Sequence, residues 1–366
     1  MAAQIKVAVG MSGGVDSSMA AYLLKSQGYA VTGLTMRLWR GGRTPVGAGK
    51  RGCYGACEEE DIAAVETICR IMDIPHHTID LIQEYEQAVL SNFSSEYLLG
   101  HTPNPCVLCN QLIKFGALIE YAHASGVEFD FFASGHYAQI EKDEKSGRYL
   151  LKKGVDLRKD QSYFLYRLSQ TQLAQAMFPL GKFTKEQVKK MATEAGFGEL
   201  ADKPESQDFI DGGEYQRLFG KAESTPGRIL DEQGYRLGNH NGISHFTVGQ
   251  RRGLNLGGSP QPMYVLRINA VNNDVIVGPK QSLAVRCLTA NRLNWIAFEH
   301  LQEPLKARAR LRSHQAEEPC EIIPLAADQV EVHFDTPHYS AAPGQSVVFY
   351  INEIIIGGGI IQKTER

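Results

Sequence analysis

The feature that most constrains this chain is an apolar run near its start, followed at once by a small-residue turn and a helical pattern. Ile5, Val7 and Val9 are typical of a buried strand, and an apolar stripe that includes Met19 is typical of a helix. The glycine-rich residues 10–14 connect the two. A helix N-terminus carries unpaired N–H groups and the positive end of the helix dipole, so phosphate oxygens bind there. The pattern therefore predicts a strand, a phosphate-binding loop and a helix.

The loop differs from the two common phosphate-binding loops. It has no lysine after its glycines, unlike a Walker A loop, and it lacks the GxGxxG spacing of dinucleotide-binding folds. The run Ser12-Gly13-Gly14-Val15-Asp16-Ser17 resembles instead the pyrophosphate loop of the ATP pyrophosphatases, which cleave ATP between its α and β phosphates and adenylate a carbonyl oxygen. The resemblance implies ATP as substrate, with Mg²⁺. The alternative is a Gly/Ser turn in an ordinary α/β protein.

Length and composition favour a multidomain globular protein. The chain has 366 residues, of which 43% are hydrophobic and 22% charged, and two or three domains are expected at that length. No apolar run approaches the roughly 20 residues that span a bilayer, and no signal-peptide core is present. Seven cysteines without an export signal indicate thiol, metal or catalytic roles. We therefore expect a cytoplasmic protein with no membrane partner.

The order of the patterns predicts an α/β fold class. Residues 1 to about 140 alternate strand-like and helical segments, as in a doubly wound parallel sheet. Ser12, Met36 and Gly135 each follow a predicted strand, so they should lie on one rim of that sheet. Short strands follow from about Pro226. We predict a catalytic domain over residues 1–205, a small β-rich central domain over 206–280 and a C-terminal β-barrel over 281–366.

A pair of cysteines marks a second candidate site. Two prolines hold the chain extended just before Cys106-Val107-Leu108-Cys109, and a helical pattern follows. Cys109 would then lie near a helix N-terminus, where the pKa of a thiol is lowered. The C-x-x-C spacing suits a redox dithiol, half of a metal site or a sulfur carrier. A buried and inert pair is the alternative.

Taken together, the motifs resemble those of the bacterial tRNA-specific 2-thiouridylases over essentially the whole chain. These enzymes use ATP to place sulfur on C2 of the wobble uridine. The resemblance implies an N-terminal domain like that of the adenine nucleotide α-hydrolases. The motifs that carry it are residues 10–17, the Asn-Pro-x-x-x-Cys-Asn of residues 104–110, Ala133-Ser134-Gly135-His136-Tyr137, Lys159-Asp160-Gln161, residues 245–251 and residues 343–346.

The resemblance also implies roles for individual residues. Cys109 corresponds to the catalytic nucleophile of the family. The residues implied for ATP are Gly10, Met11, Ser12, Gly13, Gly14, Val15, Asp16, Ser17, Met36 and Gly135. Those implied for tRNA, through its anticodon stem-loop, are Asn104, Pro105, Cys106, His136, Lys159, Asp160, Gln161, Arg312, Ser313 and Gln345.

One segment departs from the family pattern. Many relatives carry a second cysteine where this chain has Asp208, and they carry aspartate where this chain has Cys106. One hypothesis is that Cys106, Cys109 and Asp208 ligate three irons of a [4Fe–4S] cluster and leave the fourth iron for sulfide. The other is a persulfide on Cys109 with Cys106 as the resolving thiol. The sulfur donor, a protein or free sulfide, stays open.

The remaining cysteines are expected to be less important. Cys53 and Cys57 lie in a glycine-rich loop and Cys69 on the apolar face of a helix, where incidental thiols are the favoured interpretation and a metal site the alternative. Cys287 and Cys320 fall in strand patterns and are expected to pack.

A basic strand is the last candidate feature. Residues 306–312 alternate strictly between cationic and apolar residues, which would place Lys306, Arg308, Arg310 and Arg312 on one face of a strand. Such a face could follow the phosphates of tRNA, or it could be a solvated edge.

The sequence thus predicts a tRNA uridine 2-sulfurtransferase. One alternative is another ATP pyrophosphatase, an amidotransferase or ligase, which would leave the cysteine pair and the basic strand unused. A second, of a different class, is a non-catalytic RNA-binding protein. Release of AMP and pyrophosphate that depends on tRNA distinguishes the three.

Overall fold

The computed structural model describes residues 4–41, 52–55, 57–201, 208–210, 218, 225–257, 261–339 and 341–365. Two compact units are present. The first comprises Met1–Val89, Cys106–Glu214 and Glu353–Ile355, and the second comprises Leu90–Pro105, Tyr215–Asn352 and Ile356–Arg366.

The helices alternate with strands in the first unit and are sparse in the second. A π-helical segment, Cys109–Ala117, continues the helix that begins at Pro105. The α-helices are α1 Val15–Ser26, α2 Glu58–Ile71, α3 Ile82–Tyr85, α4 Ser91–Leu98, α5 Pro105–Leu108, α6 Leu118–Ala124, α7 Gln170–Gln175, α8 Lys185–Glu194 and α9 Gly198–Ala201. In the part of the chain that the structure describes, no helix is long and apolar enough to cross a membrane.

A five-stranded parallel sheet forms the centre of the first unit. Its strands β1, β2, β4, β5 and β8 run in the order β4-β2-β1-β5-β8, and every pairing is parallel. Successive connections lead to opposite sides of β1, so the strand order reverses between β1 and β5. Ligands of open α/β sheets bind at the carboxyl ends of the strands beside such a reversal. The strands are β1 Lys6–Gly10, β2 Ala30–Arg37, β4 His76–Asp80, β5 Phe131–Ser134 and β8 Ala176–Met177.

The core of this unit fixes α1 against the sheet. Val7 and Val9 of β1 are fully buried and pack in one cluster with Met19, Ala20 and Leu24 of the helix. Small residues let the helix approach the strand closely, and this positions its N-terminus at the end of β1. The apolar pattern of the sequence includes Tyr22 in the buried stripe, but Tyr22 is exposed and Leu24 is buried instead.

Two short pairings in this unit have no counterpart in the sequence prediction. Strand β3, Gly52–Tyr54, pairs in parallel with β9, Asp208–Ile210. A hairpin of β6, Ala138–Lys142, and β7, Tyr149–Lys153, accepts Ile354 and Ile355 as a neighbouring strand segment. Three-residue strands and distant partners leave little periodicity in a sequence.

The central part of the second unit is a four-stranded sheet in the order β11-β10-β13-β12. Val265, Val275 and Val277 are completely buried in its core cluster. The strands are β10 Gly227–Leu230, β11 Arg236–His240, β12 Tyr264–Asn269 and β13 Asp274–Gly278.

The C-terminal part of the second unit is a closed barrel. Six strands follow the order β14-β17-β16-β15-β18-β19, and a pairing between β14 and β19 closes the ring. The parallel sheet, central β domain and barrel confirm the predicted fold class. The barrel strands are β14 Val285–Trp295, β15 Leu305–Arg310, β16 Glu318–Ala326, β17 Gln329–His338, β18 Ser346–Ile351 and β19 Ile354–Glu365.

Candidate active site

A cavity of about 460 Å³ opens at the carboxyl ends of β1 and β5. All ten residues that the sequence predicts for ATP line it: Gly10, Met11, Ser12, Gly13, Gly14, Val15, Asp16, Ser17, Met36 and Gly135. The rim predicted from the strand order is therefore present. Side chains that had no predicted nucleotide role also line the cavity, among them Asp61, Lys114, His136 and Gln161.

The phosphate loop is held by its own serines. The Ser17 hydroxyl accepts a hydrogen bond from the Ser12 amide at 3.1 Å and donates one to the Gly14 carbonyl at 3.2 Å. Gly14 caps α1, and no side chain of the described residues caps that helix end. The first N–H groups of α1 thus remain available to an anion in the cavity.

Two glycines are required by close approach and by backbone conformation. Gly13 has a φ of +75°, which favours glycine. A Cβ at Gly135 would lie 2.7 Å from the carbonyl carbon of Asp16 and 2.8 Å from the amide nitrogen of Ser17. Any side chain at Gly135 would push the end of β5 away from the loop.

Asp16 is held by two residues far along the chain. Lys185 Nζ lies 2.7 Å from Asp16 Oδ2 and 2.8 Å from Oδ1, and the Tyr137 hydroxyl donates to Oδ1 at 2.8 Å. Lys185 is buried at the start of α8. Sequence reasoning missed Lys185, because it lies 169 residues from Asp16 and belongs to no recognisable motif.

His136 lies at the cavity wall as a neutral imidazole. Its Nδ1 shares a hydrogen bond of 2.7 Å with the Ser134 hydroxyl. Burial, together with the positive charge of Lys114, holds the pKa of His136 well below its usual value. A neutral imidazole can contact a base or ribose, but it does not neutralise a phosphate.

The predicted cysteine pair lies in the same unit, within a group that we call the thiol cluster: Cys53, Cys106, Cys109, Tyr85 and Lys114. Cys106 lies in α5, and Cys109 begins the π-helical segment one turn later. All three thiols interact electrostatically with the buried Tyr85 hydroxyl and with Lys114. Tyr54, which follows Cys53, stacks on Tyr85 with ring centroids 5.5 Å apart. Cys53 was expected to be incidental and instead belongs to this cluster.

The predicted lowering of the Cys109 pKa is wrong. Burial raises the pKa of this thiol to about 11, and Lys114 opposes the increase. The helix begins at Pro105, so Cys109 lies in its second turn and is only 8% exposed. Desolvation of the thiolate therefore outweighs the helix dipole and the lysine.

Lys114 connects the thiol cluster with the cavity. Burial lowers the pKa of Lys114, while charge on the sulfurs of Cys109, Cys53 and Cys106 raises it, and the net pKa lies above its usual value. The same side chain lines the cavity below the phosphate loop. The Lys114 side chain therefore lines the cavity and also interacts electrostatically with the thiols.

Asp208 falls at the edge of the described part of the chain. Its backbone pairs with Gly52 in the β3–β9 ladder. The Asp208 side chain lies outside the described residues. Its predicted role as an iron ligand therefore stays a prediction.

Two predicted tRNA contacts have structural partners. The buried Asp160 carboxylate accepts hydrogen bonds from the Gly154 amide, the Ser162 amide and the Ser162 hydroxyl. Gln161 accepts one from the Tyr137 amide at 3.0 Å and lines the cavity. Lys159 precedes them and is partly exposed. Asn104 and Pro105 are assigned to the second unit, next in sequence to Cys106.

The expectation of four exposed cations on one strand face is wrong at Arg310. Lys306 and Arg308 are exposed, but Arg310 is 9% exposed and lies 2.8 Å from Glu317. Its guanidinium also lies 5.0 Å from the centre of the Tyr350 ring. The alternation ends here because β15 ends at Arg310 and a bend follows, while Glu317 pairs with the buried guanidinium.

Three further predicted tRNA contacts of this unit are half-buried: Arg312, Ser313 and Gln345. Arg312 donates to the Val248 carbonyl at 3.2 Å, and the Ser313 carbonyl accepts from Arg310 at 3.4 Å. The Gln345 amide donates to the Ala342 carbonyl at 3.1 Å, and the Gln345 carbonyl accepts from the Ile361 amide.

Three family models match successive parts of the chain. They are described as a tRNA methyl transferase HUP domain over residues 5–210, a tRNA methyl transferase PRC-barrel domain over 218–279 and an aminomethyltransferase beta-barrel domain over 285–361.

Similar proteins match over nearly their whole length. A tRNA-specific 2-thiouridylase MnmA 2 of Thermoanaerobacter sp. is 45% identical over 363 residues, covering 98% of each chain. The tRNA-specific 2-thiouridylase MnmA of Acetivibrio thermocellus is 42% identical over 362 residues, covering 98% of this chain and 99% of its own. A solved 4-thiouridine synthetase in complex with RNA and ATP is 15% identical, with a TM-score of 0.34 over 57% of this chain and 45% of that one.

Proposed function

The chain belongs to the tRNA-specific 2-thiouridylase family, and we propose that it uses ATP to replace the C2 oxygen of the wobble uridine of tRNA by sulfur, releasing AMP and pyrophosphate. The single observation that carries the proposal is the cavity at the end of β1. The uncapped N-terminus of α1 and the predicted ATP residues face it, and Lys114 joins it to the thiol cluster.

The first step is adenylation of the base. The uridine O2 attacks the α-phosphorus of ATP, the bond between the α-phosphorus and the bridging oxygen breaks, and pyrophosphate leaves. The N–H groups at the start of α1 hold phosphate oxygens, and Lys185 holds Asp16 and with it the loop. The carboxylate of Asp61 lines the cavity, and its oxygens suit Mg²⁺, which would neutralise phosphate charge there.

The second step expels AMP. A sulfur nucleophile attacks C2, and the C2–O bond breaks, so that AMP carries away the former uridine oxygen. Lys114 is placed to stabilise the departing phosphate and the attacking thiolate. Because burial holds the Cys109 thiol in its neutral form, this step needs the lysine charge more than an exposed cysteine would.

Two routes for the sulfur fit the thiol cluster. In one, a persulfide donor transfers a sulfur atom to Cys109, and the terminal sulfur of the Cys109 persulfide attacks C2. Cys106 or Cys53 then attacks Cys109 Sγ, which frees the 2-thiouridine and leaves a disulfide between the two cysteines for an external thiol to reduce. In the other, cysteine thiolates hold a [4Fe–4S] cluster, for which Cys106, Cys109 and Cys53 offer the usual donor atoms. Anaerobic purification with iron and sulfide counting distinguishes them: a protein without iron that still thiolates tRNA excludes the cluster.

The proposal is tested by anaerobic incubation of the protein with ATP, Mg²⁺ and unmodified tRNA, in one reaction with sulfide and in a second with a persulfide donor, followed by nucleoside analysis. We expect 2-thiouridine at the wobble position and AMP release that depends on tRNA. AMP release without tRNA would indicate another ATP pyrophosphatase. Its absence with tRNA bound would indicate a non-catalytic RNA-binding protein.

A further inference from the structure

A group of three potential metal ligands lies on the barrel, in a different unit from the thiol cluster. We call it the barrel cluster: Cys287 on β14 and Glu331 and His333 on β17. One ligand atom from each lies within 4.8 Å of the others. Cys287 Sγ is 3.7 Å from His333 Nε2, and His333 Nε2 is 2.5 Å from Glu331 Oε2.

The strand register brings these side chains to one face. Cys287 lies directly opposite His333 in the β14–β17 ladder, and Glu331 is two residues before His333 on the same strand. The neighbouring cross-strand pair, Leu288 and Val332, points to the other face and is fully buried. The cluster is therefore on the outer face of the barrel. Glu365 joins this face, because it lies opposite Cys287 in the β14–β19 ladder that closes the ring.

We propose that the barrel cluster binds one zinc-class divalent cation through Cys287 Sγ, His333 Nε2 and a Glu331 carboxylate oxygen, with Glu365 or water as the fourth ligand. Thiolate, imidazole and carboxylate are the donors that Zn²⁺ takes in proteins, and four ligands complete its tetrahedron.

The distances suit this assignment. Zinc–sulfur and zinc–nitrogen bonds of about 2.3 and 2.05 Å at a tetrahedral angle place sulfur and nitrogen about 3.6 Å apart. The observed separation of 3.7 Å needs almost no adjustment. The Glu331 oxygen must move away from His333 Nε2, which a rotation about the bonds of this half-buried side chain would allow.

The bound cation would join β14, β17 and β19 across the seam of the barrel. One ion would then hold ligands from two neighbouring strands, with Glu365 on a third, so the loaded form should be the more stable one.

Cobalt(II) titration of the metal-free full-length protein tests the proposal, since Co²⁺ bound to thiolate absorbs in the near ultraviolet. A Cys109→Ser background reduces binding at the thiol cluster. In that background we expect one equivalent of Co²⁺ with thiolate absorption, displaced by Zn²⁺, and a thermal midpoint that rises with Zn²⁺. Cys287→Ser should lose the absorption and the shift, and Cys320→Ser, a thiol of the same barrel outside the cluster, should keep both.

His333→Gln provides a second variant, because His333 is exposed and its replacement leaves the barrel core unchanged. It should weaken Co²⁺ binding at least tenfold. An unchanged spectrum and stoichiometry in Cys287→Ser or His333→Gln would overturn the proposal, as would the absence of Co²⁺ binding in the Cys109→Ser protein.

Discussion

Lys185 shows at the residue scale how a phosphate loop depends on a distant side chain. Without Lys185, the Asp16 carboxylate keeps the hydrogen bond from Tyr137 but loses both short contacts with the ammonium. We expect Lys185→Met to lower the free energy of unfolding by about 2 kcal/mol, the value of a hydrogen bond to a charged group. The KM for ATP should rise about tenfold, equivalent to about 1.4 kcal/mol.

The matched control is Lys190→Met on the same helix. Lys190 is exposed and pairs with Glu194 at 3.8 Å. Lys190→Met should leave the free energy of unfolding, measured with denaturant, and the KM for ATP, measured from initial rates, near those of the unsubstituted protein. An unchanged KM for ATP in Lys185→Met would contradict the role given to this lysine.

The Cys109 thiol provides a second residue-scale prediction. Its pKa of about 11 makes alkylation slow at pH 8 and faster as the pH rises towards 11. Because the Lys114 charge lowers that pKa, Lys114→Met should slow alkylation of Cys109 further, and Lys114→Arg should restore it. Iodoacetamide labelling across pH, quantified on the Cys109 peptide by mass spectrometry, measures this. Equal rates in the methionine variant would refute the coupling.

Residue identities were predictable where chemistry is local in sequence. The residues predicted for ATP form a contiguous loop plus two strand ends, and all ten line one cavity; their binding of ATP stays a prediction. Lys185 was not predictable, because its role arises from tertiary packing. The pKa of Cys109 was predicted with the wrong sign, because burial is set by elements that the local pattern does not contain.

At the element scale, β15 divides into an exposed and a buried half. Lys306→Gln with Arg308→Gln removes exposed charges, so it should weaken tRNA binding and reduce the salt dependence by about 0.7 to 0.9 per lost phosphate contact. Filter binding at several salt concentrations measures the slope. An unchanged slope would show that this face does not contact RNA.

Arg310→Gln should behave differently. It leaves the Glu317 carboxylate, whose side chain is 11% exposed, without its close cation. Breaking such a buried pair costs about 3 kcal/mol, so the midpoint of denaturant unfolding should fall clearly. A stability equal to that of Lys306→Gln would contradict the buried role.

Elements were predictable in proportion to their length and periodicity. The strands β1, β2 and β5, which end near Ser12, Met36 and Gly135, were predicted because an apolar pattern accompanies each of them, whereas the two-residue β8 was not predicted. The β3–β9 pair was missed, since three residues carry no period. The alternation of residues 306–312 predicted a regular strand, but the strand ends at Arg310.

For the whole molecule, buried histidines predict loss of stability in mild acid. Burial lowers the pKa of His76, His136, His240 and His338 below 6.5. Below about pH 6.5 the unfolded chain therefore binds protons that the folded chain does not, and stability present above that pH is lost as the pH falls. Glu58, whose pKa is raised by burial, acts in the opposite direction nearer pH 4.5.

Thermal unfolding should therefore have a lower midpoint at pH 5.5 than at pH 7.5. His338→Gln should make this difference smaller by removing one of the four groups. A midpoint that is constant or rises between pH 7.5 and 5.5 would contradict the burial of these imidazoles.

The central claim is that the loop at the end of β1 activates the uridine oxygen by adenylation. The direct measurement uses tRNA with ¹⁸O at C2 of the wobble uridine, incubated with the protein, ATP, Mg²⁺ and sulfide. Mass spectrometry should find one ¹⁸O in the phosphate of each AMP and sulfur in place of the oxygen at C2. AMP without ¹⁸O, alongside 2-thiouridine, would contradict the account.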